Sequence, residues 1–143
     1  MSAHPTPSRR TLLQGAAAVP VAGIGLTACS ATGNLPRAAS ATPTAPVDLG
    51  PEAEVAKGET KLFRKERVVV TRAADGALTA YGSVCTHGRC AISKLEGTTL
   101  VCPCHGSHFD ATTGEVLQRP ATVPLPKVPV RIEGGKLIAG PDA

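Results

Sequence analysis

Apolar and polar positions alternate in short runs from residue 60 onward and never settle into a helical period. Leu62–Phe63, Arg67–Thr71, Leu78–Val84, Thr98–Val101, Glu115–Leu117, Val128–Ile132 and Leu137–Ile138 each read as a strand. Turn signals separate them: Asp75-Gly76, Gly97, Thr113-Gly114 and Gly134-Gly135. Val68-Val69-Val70 is a β-branched run that suits a pleated backbone. Short strands at regular spacing predict an all-β fold over residues 52–143, an antiparallel sandwich or barrel. No internal repeat is visible.

The first third of the chain has a different pattern. Leu12 to Ala28 is a mildly apolar run of mostly Ala and Gly, and no charge falls between Arg10 and Arg37. A membrane span needs about 20 strongly apolar residues. This run contains Pro20 and falls short, so a retained anchor is the weaker reading and a cleaved signal over residues 1–28 the stronger. Ser30 to Pro51 is rich in Ala, Thr, Pro and Ser and almost uncharged, which predicts a disordered, semi-extended tether. The expected division is a signal peptide (1–28), a linker (29–51) and a folded domain (52–143).

Composition narrows the picture. The 143 residues include two Phe, one Tyr and no Trp, so Val, Ile and Leu must fill the core. A core this poor in aromatic area needs a covalent or metal staple. The formal charge is +4, and removal of Arg9 and Arg10 would leave +2. All 11 acidic residues lie beyond residue 47. Basic residues are not interleaved with aromatic ones, which excludes a single-strand nucleic-acid binder. Neither a catalytic dyad nor a phosphate loop is present, so the chain is not expected to catalyse a reaction alone.

The chemistry concentrates in two boxes. Cys85-Thr86-His87-Gly88-Arg89-Cys90 is the first, and Cys102-Pro103-Cys104-His105-Gly106-Ser107-His108-Phe109-Asp110 the second. Together they hold four of the five cysteines and three of the four histidines; His4 lies in the leader. Two Cys and two His could hold a tetrahedral zinc ion. They could equally hold a [2Fe–2S] cluster with two Cys on one iron and two His on the other. Zinc has no use for the second cysteine pair, Cys90 and Cys104.

The boxes resemble those of the Rieske iron–sulfur family, the second nearly residue for residue. The resemblance covers about Glu52 to Ile138 and implies a Rieske-type fold with two cluster-binding loops at one tip. It implies Cys85, His87, Cys102 and His105 as ligands and a Cys90–Cys104 disulfide tying the loops together. That disulfide marks the family's high-potential branch. Two neutral imidazoles replace two thiolates, which puts such clusters at about −150 to +300 mV rather than near −400 mV. Ser107 matches a serine whose hydroxyl bonds a bridging sulfide. Phe109 stands where high-potential members often carry a Tyr, and is expected to pack in its loop. Gly88-Arg89 departs from their bulky residue followed by Gly and leaves the cluster less shielded. His108 reads as an exposed loop histidine, and Thr86 and Asp110 as loop hydrogen-bonders. Pro120 to Pro126 resembles the family's proline segment over the cluster, with Arg119 where Gly is usual.

The leader adds a destination. Ser8-Arg9-Arg10-Thr11-Leu12-Leu13 resembles a twin-arginine export signal, and Leu26-Thr27-Ala28-Cys29 resembles a lipobox, with Cys29 as the lipidated residue. A fifth cysteine with its own role explains the odd count. Export also takes the chain to a compartment where a disulfide persists. The sequence thus predicts an extracytoplasmic, lipid-anchored one-electron carrier with unidentified donor and acceptor proteins. The alternatives are a subunit of a quinol–cytochrome or molybdenum oxidoreductase, the ferredoxin component of an oxygenase, and a structural zinc module.

Overall fold

The structure is a computed structural model that describes residues 41–143. Arg9, Arg10, Cys29, the expected signal and most of the expected linker lie outside the described residues. Ten strands run in chain order as β1 (Val47–Pro51), β2 (Thr60–Phe63), β3 (Val68–Arg72), β4 (Leu78–Gly82), β5 (Lys94–Glu96), β6 (Thr99–Val101), β7 (His108–Asp110), β8 (Val116–Gln118), β9 (Val130–Glu133) and β10 (Lys136–Ala139). They form three antiparallel sheets, ordered β1-β10-β9, β2-β3-β4 and β5-β6-β7-β8. The all-β expectation holds. Among the described residues no helix is long and apolar enough to cross a membrane.

The valine run of β3 organises the interior. Val68, Val69 and Val70 are all fully buried. Successive side chains of a strand point to opposite faces. Val68 and Val70 join Leu49, Val55, Phe63, Ala80, Val128, Leu137 and Ala139 in one core. Val69 joins a second core with Cys85, Ile92, Leu100, Cys102, Phe109, Ala111, Ala121 and Leu125. The central strand is therefore covered on both faces, and burial of each valine is worth about 1.5–3 kcal/mol. The second core is the one that supports the cysteine boxes.

Three strands depart from the sequence reading. Val47–Pro51, assigned to the linker, is β1 and belongs to the folded unit. It pairs with β10, Val47 opposite Ala139, and buries Leu49. A partner about 90 residues away leaves no trace in local composition. Asp48 accepts the Gly50 N–H at 2.8 Å, at the bulge that bends the strand. Lys94–Glu96 and His108–Asp110 are three-residue strands too short to show a period. His108 is half-buried on β7 rather than exposed on a loop. Phe109 is fully buried in the second core rather than packed in a loop.

Gly114 shows how tightly the sheets meet. It donates to the Asp110 carbonyl at 2.8 Å and has φ of +77°. A Cβ there would lie 2.6 Å from two carbons of the Tyr81 ring on β4. Gly97, at the β5–β6 turn, has φ of +60° and nothing within 4 Å of that position. Gly97→Ala is expected to lose about 1–2 kcal/mol of stability from left-handed backbone alone. Gly114→Ala is expected to lose a further 1–3 kcal/mol from overpacking, roughly. Urea unfolding of both variants measures the difference, and equal losses would show that the Tyr81 contact is slack.

Candidate metal centre

The two boxes are the same loop built twice. Cys85 follows β4 and Cys102 follows β6. In the first box the Cys85 N–H donates to the Cys90 carbonyl and the Arg89 N–H to the Cys85 carbonyl, both at 2.8 Å. In the second the Cys102 N–H donates to the Ser107 carbonyl at 2.9 Å and the Gly106 N–H to the Cys102 carbonyl at 3.1 Å. The fifth residue of each loop is left-handed: Arg89 with φ of +55°, Gly106 with φ of +71°. Arg89 thus bears a backbone conformation that its counterpart leaves to glycine.

Each loop buries a cysteine and exposes a histidine. Cys85 and Cys102 are free thiols, 1% and 2% exposed. His87 and His105 are exposed, with ring centroids 5.2 Å apart and ring planes perpendicular. Cys90 and Cys104 form a disulfide across the loops, with Cα atoms 6.5 Å apart. The sulfurs of Cys90, Cys102 and Cys104 lie within 4.8 Å of one another. Two of those three are spent in the disulfide, so that trio is not itself a metal site.

The surroundings of the two thiols shift them in opposite directions. Burial pushes the Cys85 thiol up, but the N–H groups of His87 and Gly88 outweigh it, helped by the Cys102 thiol and the Ser107 hydroxyl, and hold it below the ordinary thiol value. Burial pushes Cys102 up, and the neighbouring Cys85 reinforces that against the N–H groups of Cys104 and His105, leaving it above the ordinary value. A metal cation would let both sulfurs ionise. This donor set, two buried sulfurs behind two exposed imidazoles, fits a two-iron cluster with Cys on the inner iron and His on the outer.

Residues 45–129 match the family model for the Rieske [2Fe-2S] domain. The chain belongs to the Rieske [2Fe–2S] family. It is 37% identical over 93 residues to the cytochrome b6-f complex iron-sulfur subunit of Chlorobaculum thiosulfatiphilum, covering 63% of this chain and 50% of that protein. It is 33% identical over 90 residues to the 3-phenylpropionate/cinnamic acid dioxygenase ferredoxin subunit of Escherichia coli, covering 61% of this chain and 85% of that protein. Among solved structures it resembles the cyanobacterial plasma membrane Rieske protein PetC3 of Synechocystis PCC 6803, with a TM-score of 0.52 and 35% identity over 65% of this chain and 97% of that one. The chain spans about half the length of the cytochrome-complex relative. A [2Fe–2S] cluster replaces the zinc reading.

In this Rieske domain a strap after β8 closes over both loops. The Gln118 Nε2 donates to the Gly106 carbonyl at 2.9 Å, the Ala121 N–H to the Ser107 Oγ at 3.0 Å, and the Thr86 Oγ1 to the Val123 carbonyl at 2.6 Å. The strap is the proline segment singled out in the sequence, with Ala121 and Leu125 buried beneath it and Arg119 exposed. Of its fastening groups, the Ala121 amide carried no sequence signal beyond its place in that segment, and Gln118, the last residue of β8, carried none. Asp110 caps the β7–β8 turn, accepting from the Thr112 and Thr113 amides at 2.6 and 3.2 Å. Gly88 is exposed, and a Cβ on it would sit 3.6 Å from the His105 ring, an ordinary contact.

Ser107 is fully buried, and its oxygen is held by the Ala121 amide. The hydroxyl proton is thereby left for sulfur, beside Cys85. Phe109, in the same core, has no donor to offer. Ser107→Ala is expected to lower the cluster potential by about 65–130 mV at most, taking about 1.5–3 kcal/mol for a bond to a charged group and about 59 mV per tenfold. It also strands a buried amide, at a cost of about 1–3 kcal/mol. Protein-film voltammetry and thermal unfolding check the two effects. An unchanged potential would show that the hydroxyl serves the strap alone.

Proposed function

We propose that this protein is a one-electron carrier whose cluster is held by Cys85, His87, Cys102 and His105, working at the outer face of the cytoplasmic membrane. The observation that carries the reading is the doubled loop frame, which brings one buried thiol and one exposed imidazole from each box to the same tip. When bound, the cluster supplies a single-electron couple. Cys85 and Cys102 anchor it on the domain side, beneath the strap. His87 and His105 face outward, where an acceptor can approach their ring edges and where their outer nitrogens can exchange a proton. The Cys90–Cys104 disulfide clamps the loops, and the strap excludes water from the sulfur side.

The disulfide supports an oxidising compartment. The leader supports export and anchoring, through Arg9-Arg10 and a lipid on Cys29. The plasma membrane assignment of the Synechocystis protein points the same way. Service as a subunit of a larger oxidoreductase is the second reading, favoured by the similarity to the cytochrome b6-f subunit. An oxygenase ferredoxin is the third, favoured by the coverage of the dioxygenase ferredoxin and opposed by the disulfide.

Replacing Cys85, His87, Cys102 or His105 with Ala is expected to abolish the cluster, measured as iron, acid-labile sulfide and the visible spectrum. A variant with full iron and an unaltered spectrum would remove that residue from the ligand set. Cys29→Ala is expected to block lipidation and leave the precursor uncut at the lipobox. Mass spectrometry of the mature N-terminus reads this directly, and a lipidated Cys29→Ala protein would sink the lipoprotein reading.

A further inference from the structure

Charge is sorted along the cluster end of the molecule. Three segments build that end: 84–95, 100–109 and 116–126. They contain Arg89, Lys94 and Arg119 and not one Asp or Glu. On the β5–β8 sheet the register separates charge only in part, because Lys94 reaches Glu96 in an ion pair at 2.8 Å and the cations left to the tip are Arg89 and Arg119. Lys94, Val101, His108 and Gln118 form the row nearest the loops. Glu96, Thr99 and Asp110 form the row at the far end. The adjacent β2–β3 turn, reached through the Ser83 N–H to the Arg67 carbonyl, carries Glu66 among Arg64, Lys65 and Arg67. With 15 basic and 11 acidic residues in the whole chain, this end is more one-sided than composition requires.

Apolar surface lies in the same place. Leu117 and Val123 are 57% and 59% exposed; Leu117 flanks Gln118, which bonds the second loop, and the Val123 carbonyl itself accepts from Thr86 of the first. Apolar area within a charged rim is the anatomy of a docking face. We infer that this tip docks an acidic surface on a redox partner protein, with exposed Arg89 two residues from His87, exposed Arg119 next to the Gln118 that bonds the second loop, and Leu117 and Val123 in the contact. The inference rests on the electron-carrier reading. The partner is a protein rather than an anionic lipid surface because the exposed His87 and His105 edges need an electron acceptor or donor opposite them, and a headgroup is neither. Small, transient contacts of this kind draw their speed and selectivity from charge complementarity.

The test uses the full-length, cluster-loaded protein and two inorganic oxidants, the hexacyanoferrate(III) anion and the tris(phenanthroline)cobalt(III) cation. Each takes one electron from the reduced cluster, giving hexacyanoferrate(II) or cobalt(II). Stopped-flow oxidation is followed between about 10 and 150 mM ionic strength, which spans roughly 30 to 8 Å of screening length. The anion's rate is expected to fall about tenfold as salt rises, and the cation's to climb. Arg119→Glu, outside the two cysteine boxes, is expected to weaken both trends, and Arg89→Glu with Arg119→Glu to reverse them, with iron content retained and each rate compared at the variant's own measured potential. Salt-independent rates, or trends that survive the double reversal, would overturn the inference. Failure to reduce either oxidant would instead refute the electron-carrier reading. Arginine-dependent sedimentation with phosphatidylglycerol but not phosphatidylcholine vesicles would also overturn it, in favour of a membrane-facing tip.

Discussion

Two buried sulfurs sit at the base of two loops, and much else serves to keep them there. An unpaired thiolate inside a protein is costly, so each sulfur is met by backbone N–H groups of its own loop. Those donors converge only when the loop curls back on itself. The Cys85 and Cys102 amides therefore close the same hydrogen-bonded ring in both boxes. The disulfide then fixes one ring against the other, and the strap covers both. Loops this short could not hold the arrangement without the second core underneath, whose members include both cysteines.

The inner and outer halves of the site divide its labour by solvent. Cys85, Cys102 and Ser107 lie in an environment with little water, where a hydrogen bond or a charge has strong effect. His87 and His105 lie outside it, exposed at the tip. A reaction that moves only an electron needs no substrate pocket between these halves. In the carrier role proposed above, the polypeptide sets the energy of the electron from the inside and selects the encounter from the outside.

Much of this was legible in the sequence, for a physical reason. Ligand chemistry depends on residue type and spacing, so the boxes announced themselves, as did the proline segment and the glycine-marked hairpins at Asp75-Gly76 and Gly134-Gly135. What escaped depends on partners distant in sequence. Val47–Pro51 is a strand only because β10 returns beside it, and His108–Asp110 only because β6 and β8 flank it. The likeness of the two loops was hidden too. Arg89 and Gly106 look unrelated as letters, yet they occupy one backbone conformation.

The valines of β3 make that strand a party wall between two rooms. The first core contains neither Cys85 nor Cys102, yet it presses on the strand whose other face supports them. A void opened at Leu137 or Ala80 would soften the wall for both tenants. Mutational tolerance in such a molecule should follow the wall rather than distance from the cluster. Drift is cheap at exposed sites such as Ile132 and costly at Val68 and Val70, although those two side chains point away from the redox centre.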